Sequence, residues 1–212
     1  KTLTAIAFSC SLAATMTTTM TQAAEIEMSF QNVLQQERAW AGLQSKTLKV
    51  GDITWSYSEG GQVGKPIVVL IHGLAGSRDN WNRVANALTG NYHVIIPDLP
   101  ASGETQVPKE FDYSVPNVTE KLRRFIDAAN LTGPAHIAGH SLGGSIAMLY
   151  AGQYPFETKS LFLVDEAGVY KAGNTPYLKD PNQIRSMIVS KKGDSNFLMQ
   201  QAMHNPPFIP KE

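Results

Sequence analysis

The sequence predicts an α/β chain, a mostly parallel sheet with helices on both faces, and three observations carry that prediction. The pentapeptide Gly139-His140-Ser141-Leu142-Gly143 stands between a short apolar run, Ala135-His136-Ile137-Ala138, and a stretch of helical spacing from Leu142 to Tyr154. Upstream, Ile67-Val68-Val69-Leu70-Ile71 is a continuous β-branched run of the kind that fills a buried parallel strand, and His72-Gly73-Leu74 follows it directly. Between and after them, strand-like runs alternate with helix-periodic ones, a pattern that implies right-handed crossovers.

Residues 1–24 differ in kind from the rest. Lys1, an apolar stretch from Leu3 to Ala14, a Thr-rich region and Thr21-Gln22-Ala23-Ala24 read as a signal peptide cleaved near Ala23 or Ala24. The segment is too short and too Thr-rich to span a membrane, so export to the periplasm or the medium is expected. The single cysteine, Cys10, lies inside it, which leaves the mature chain no disulfide framework and no cysteine-ligated metal. Acylation of Cys10 as a lipoprotein is the alternative, against which Ala7-Phe8-Ser9 matches poorly the residues that usually precede a lipidated cysteine.

Phe30, Val33, Leu34 and Ala41 fall mostly on one helical face, predicting an amphipathic helix over Ser29–Leu43 that lies on the body of the protein. Thr47–Val50 and Ile53–Ser58 alternate apolar and polar residues around Gly51-Asp52, a hairpin signal. Trp81, Val84, Ala85 and Leu88 predict a crossover helix, with Ser77 or Asp79 as cap and Gly90 as stop. Tyr92–Asp98 is the next strand and ends in the turn Leu99-Pro100-Ala101-Ser102-Gly103. Asn117 and Glu120 have capping-box spacing for a helix whose apolar face is Val118, Leu122, Phe125, Ile126 and Ala129. A last strand is expected over Ser160–Asp165, and short helices over Pro181–Val189 and Asn196–Met203.

The chemistry lies in the pentapeptide. A strand, a sharp turn and a helix around G-x-S-x-G make a nucleophile elbow: the turn forces Ser141 into a strained conformation, and Gly139 and Gly143 let strand and helix approach. The Ser141 hydroxyl is then exposed at the carboxyl edge of the sheet, with the Leu142 N–H aimed at the same point. The loop His72-Gly73 presents a second donor, the Leu74 N–H, which completes an oxyanion hole and points to acyl transfer. Of the histidines, His72 shapes that loop, His140 is locked beside the serine, and His93 and His136 lie in or before strands; His204 alone follows Ser141. Asp98 reads as a structural turn residue, as does Asp165. With 18 basic and 18 acidic residues there is no bias toward nucleic acid. No His/Asp/Glu cluster has metal-ligand spacing and no phosphate-binding glycine motif occurs, so neither metal nor cofactor is expected.

Taken together, His72-Gly73-Leu74, Asp98-Leu99-Pro100 with Gly103, Gly139 to Gly144, and Leu163-Val164-Asp165 resemble the α/β-hydrolase superfamily in order and spacing. The chain looks most like the bacterial family V lipases and esterases, over about residues 28 to 212. The resemblance implies Ser141 as nucleophile, Leu74 and Leu142 as oxyanion donors, a small-molecule ester or lipid substrate, a core over residues 25–168 and the start of a helical cap over 169–212. Two departures stand out. The turn Ala101-Ser102-Gly103-Glu104-Thr105 lacks the first glycine usual in related sequences, so an altered loop is expected. The order Ser, then Asp or Glu, then His is not completed either: Asp165 and Glu166 end the strand where some relatives keep their acid, and His204 is followed by Asn205-Pro206-Pro207 with no strand before it. The expectation is a chain truncated within its cap, with a His–Asp pair beyond residue 212. Met187, Ile188, Phe197, Leu198, Met203 and Phe208 suit an acyl chain or simply pack the cap. The function so implied is a secreted serine carboxylic-ester hydrolase; another serine hydrolase of the same fold, such as a carbon–carbon bond hydrolase or a perhydrolase, and an inactive fragment or binding domain are the alternatives.

Overall fold

The computed structural model describes residues 29–131, 133–168, 193–202 and 204–205, and the chain divides into two compact units after Gly168. The signal segment, Cys10 and the helix expected over Pro181–Val189 lie outside the described residues. The first unit holds six strands: β1 (Leu43–Val50), β2 (Ile53–Gly60), β3 (Ile67–Ile71), β4 (His93–Pro97), β5 (Ala135–His140) and β6 (Thr158–Val164). Their sheet order is β1-β2-β4-β3-β5-β6. β1 and β2 form the expected hairpin around Gly51-Asp52, β2 runs antiparallel to β4, and β4, β3, β5 and β6 are mutually parallel. Helices α1 (residues 29–40), α2 (Asn82–Leu88), α3 (Val115–Ala128) and α4 (Leu142–Gln153) accompany the sheet. In the second unit, the described element is a helix, α5 (Asp194–Ala202), where one was expected from Asn196 onward.

The apolar run in β3 serves two cores at once, because successive strand side chains point to opposite faces. Val69 and Ile71 join Trp55, Leu122, Phe125, Ile146 and Tyr150 on the face covered by α3 and α4. Val68 and Leu70 join Leu43, Trp81, Ala85 and Ile96 on the face covered by α2. A strand buried on both faces has no polar alternation to show, which is why 67–71 reads as an unbroken run. On the first face Phe125 anchors α3, its ring 4.9 Å from that of Trp55 and 5.1 Å from that of Tyr57.

Three local expectations are corrected. In α1, Phe30 and Val33 are about half exposed, while Arg38 and, just past the helix end, Ala41 are buried. The rotation of the helix is set by Arg38, whose Nε and second guanidinium nitrogen meet the two carboxylate oxygens of Asp79 at 2.7 and 2.6 Å. A two-bond guanidinium–carboxylate pair is directional, and a count of apolar residues does not register it. Ser77 caps a 3-10 turn, Arg78–Trp81, with the Asn80 side chain returning to its N–H, so α2 begins only at Asn82 and Val84 stays exposed. The Asn117–Glu120 box does not form. Asp112 accepts hydrogen bonds from the backbone N–H and hydroxyl of Ser114, and Pro116 in the first turn presets the helical backbone. α3 therefore starts at Val115, and Asn117 donates to the carbonyl of Asp112 instead.

The loops that leave β3 and β4 are joined by a buried ion pair. Arg78 donates to Asp98 through its backbone N–H at 2.7 Å and through its guanidinium at 2.6 Å, and both side chains are 1% exposed. Glu104 caps the arrangement, accepting from the other end of Arg78 and donating its N–H to Asp98. Removing one partner strands the other charge without water. Arg78→Ala is therefore expected to lower the unfolding free energy by about 3–5 kcal/mol in urea titration. Lys46→Ala, whose ammonium is 44% exposed in its pair with Glu59, is expected to cost less than about 1 kcal/mol.

Candidate active site

The carboxyl ends of β3 and β5 bring the two sequence motifs together. Ser141 follows β5 with φ 52° and ψ −118°, a region that costs a side-chain-bearing residue about 1–3 kcal/mol and persists only where its surroundings enforce it. Here they do. The Ser141 N–H donates to the carbonyl of Val164 in β6 at 3.1 Å, and its own carbonyl accepts from Gly144, Ser145 and Ala167. The flanking glycines leave no room for a side chain. A Cβ on Gly139 would stand 2.2 Å from the carbonyl oxygen of Gly143, and one on Gly143 would stand 2.3 and 2.4 Å from those of Ile71 and His72. Gly73 also packs against the serine, less tightly, its absent Cβ 3.0 Å from that of Ser141.

Two backbone donors flank this point. Leu142 opens α4, so its N–H has no acceptor within the helix and sits at the positive end of the helix dipole. Among the described residues neither it nor the Leu74 N–H makes a hydrogen bond. His72 explains how the second donor is held. The Leu99 N–H donates to His72 Nε2 at 2.9 Å, which places the imidazole proton on Nδ1, and Nδ1 donates to the Gly73 carbonyl at 2.8 Å. That carbonyl and the Leu74 N–H belong to one planar peptide. A bond on the oxygen therefore fixes the direction of the N–H. His72 thus bonds to both the loop after β3 and the loop after β4, and burial holds its pKa below the ordinary histidine value, keeping it neutral.

The other candidates are placed elsewhere. His140 is exposed on the turn and faces a separate cavity of about 250 Å³ with Trp81 and Val84. His93 is paired with Glu59 at 2.7 Å, and His136, at the amino end of β5, with Ser160 at 2.7 Å. Asp98 is engaged by Arg78 as a structural residue, and Asp165 is an exposed turn residue with φ 45°. His204 belongs to the second unit and is exposed. The glycine missing at position 101 is met by Ala101 itself, which adopts φ 67° so that the Ser102 N–H can close a turn on the Leu99 carbonyl at 2.9 Å.

Beside Ser141 opens a cavity of about 380 Å³, bounded by Gly73 and Leu74, the β4 loop from Leu99 to Ser102, Tyr113 just before α3, Val115 and Val118 of α3, and Leu142 with Ile146 of α4. Its lining is mostly apolar, with Ser102 and Tyr113 the side chains that carry a hydroxyl. Sequence reading assigned Val118 to the apolar face of α3 and did not single out Ile146 or Tyr113, because helical periodicity does not distinguish a residue facing a core from one facing a cavity.

The burial of His72 gives the protein a stability slope of definite sign. Its folded pKa lies below the unfolded value of about 6.5, so the unfolded state takes up a proton that the folded state refuses. The contribution is complete above that value and is lost as pH falls below it. Between about pH 7.5 and about pH 5.5 the melting temperature is expected to fall. The fall should be smaller in His72→Gln, whose amide can accept from Leu99 and donate to Gly73 without titrating; thermal denaturation at both pH values measures it.

The family described as the alpha/beta hydrolase fold matches residues 66–198. Over 184 residues the chain is 37% identical to Lipase 1 of Psychrobacter immobilis and to Lipase 3 of Moraxella sp. (strain TA144), alignments that cover 85% of this chain and 57% and 58% of those proteins. Among solved structures, a putative lipase (lip1) from Acinetobacter baumannii AYE is 75% identical with a TM-score of 0.80, over 86% of this chain and 61% of that one. A membrane phospholipase A described as a bacterial virulence factor is 34% identical with a TM-score of 0.77, over 88% and 59%. The chain thus spans about three-fifths of the length of these relatives. With its parallel sheet, its strained turn after β5 and these similarities, the chain belongs to the α/β-hydrolase fold family.

Proposed function

We propose that this chain is the nucleophile-bearing part of an exported serine carboxylic-ester hydrolase of lipase type. The observation that carries the reading is Ser141 held in an enforced turn between two amides unpaired among the described residues, beside an apolar cavity lined by its neighbours Gly73 and Leu142. The Ser141 Oγ attacks the ester carbonyl carbon while its proton passes to a base. The carbonyl oxygen becomes an oxyanion accepting from the Leu74 and Leu142 N–H groups, which are already oriented and need no reorganisation as the charge develops. Collapse expels the alcohol and leaves the acyl group on Ser141, and water then releases the acid by the reverse sequence. We assign the proton transfers to a His–Asp pair of the whole protein that follows Ser141 in chain order. The apolar cavity and the relatives described as lipases support an ester of a lipid as substrate. The composition of residues 1–24 supports export.

Treatment of the whole protein with a fluorophosphonate, read by peptide mass spectrometry, tests the assignment. One phosphonyl adduct on Ser141, absent in Ser141→Ala, is expected. An adduct on a different residue, or none on folded whole protein, would refute it.

A further inference from the structure

We infer that Val118 and Ile146 form the closed end of the cavity beside Ser141, and that their size sets the longest unbranched acyl chain the enzyme accepts. The inference rests on the ester-hydrolase reading and adds to it a specificity-determining pair. The cavity has a direction, given by the burial of its lining. Leu74 is 74% exposed and Tyr113 53%, so one end opens to solvent. Val118 is 6% exposed and Ile146 1%, so the other end is closed by side chains that belong to the main core with Leu122 and Phe125. Gly73 and Leu142, the neighbours of Ser141, line the same space, so an acyl group attached at the serine has an apolar channel leading inward.

Volume and lining select the occupant. About 380 Å³ lies at the small end of the range of cavities that enclose a ligand, about 300–1,000 Å³. It suits one acyl chain rather than a whole multi-chain lipid. The walls come from four separate segments, and the two at the closed end lie on helices, which cannot yield to a longer chain as a loop would. Each methylene taken out of water into such a lining is expected to tighten binding about fourfold. The gain continues until the chain meets Val118 and Ile146 and then stops.

Competition of a fluorescent fatty acid by unbranched saturated acids from butyrate to palmitate, on the whole protein, reads the length at which the gain ends. Val118→Ala is expected to move that break to longer acids and Val118→Phe to shorter ones, with Ile146→Val giving a smaller lengthening as an independent variant that keeps the core nearly filled. A loosened fold weakens all lengths alike and leaves the break in place, so the position of the break separates a specificity role from a structural one. An unmoved break in folded variants would overturn the inference. The two readings fail separately: Ser141 labelling with an unmoved break rejects only the chain-length role, whereas a moving break without Ser141 labelling keeps an acyl-binding cavity and rejects the hydrolase reading on which the catalytic meaning of that cavity depends.

Discussion

The first turn of α4 lies against the end of β3 with no side chain between them, and the rest of the site depends on that contact. Gly143 meets the carbonyl oxygens of Ile71 and His72 where a Cβ would overlap them. Because the helix comes this close, Gly73 reaches Ser141, the Leu142 N–H lies beside the strand end that carries Leu74, and the helix dipole points into the same space. A side chain at position 143 would push α4 outward and separate all of these together. The pattern G-x-S-x-G is in this sense a statement about distance between backbones as much as about a serine.

Holding Ser141 at a positive φ is unfavourable, and the structure distributes the restraint over several elements. β6 accepts the Ser141 N–H, the residue after Glu166 donates back to the Ser141 carbonyl, and Ser145 Oγ donates to the carbonyl of Ala167. On the other side His72 ties the loop after β3 to the loop after β4, and Arg78 ties those same two loops again through Asp98. A buried ion pair is not in itself a strong stabiliser, since an apolar pair of similar volume often serves as well. What Arg78 and Asp98 contribute is direction. Their charged hydrogen bonds set where two loops sit relative to one another, and apolar contacts, being non-directional, would leave that free.

Polar restraint and apolar space divide the site between them. The groups gathered around Ser141 are backbone amides and a neutral histidine, all of them uncharged. The residues that surround the cavity are mostly apolar, with the exposed Leu74 and Tyr113 at one end and the buried Val118 and Ile146 at the other. An ester of a fatty acid has the same division, a polar reacting centre and an apolar tail.

The strands, the hairpin at Gly51-Asp52, the parallel sheet and the position of Ser141 are legible in the sequence, because each rests on local rules: β-branched runs, turn residues and glycines at fixed offsets. The sequence also pointed to Leu74 and Leu142, whose N–H groups make no hydrogen bond among the described residues. Local rules failed where one specific side-chain bond or turn, distant in sequence or near, decided the outcome. The rotation of α1 follows Arg38 and its bond to Asp79, the start of α3 follows Asp112 and Pro116 rather than Asn117, and Ala101 takes a glycine-like conformation because the turn between Leu99 and Ser102 requires it. The proton on His72 Nδ1, the burial of Arg78 with Asp98 and the closed end at Val118 and Ile146 belong to tertiary structure alone. Each is a meeting of segments from different strands and helices, and no periodicity within one segment encodes which residue of another it will touch.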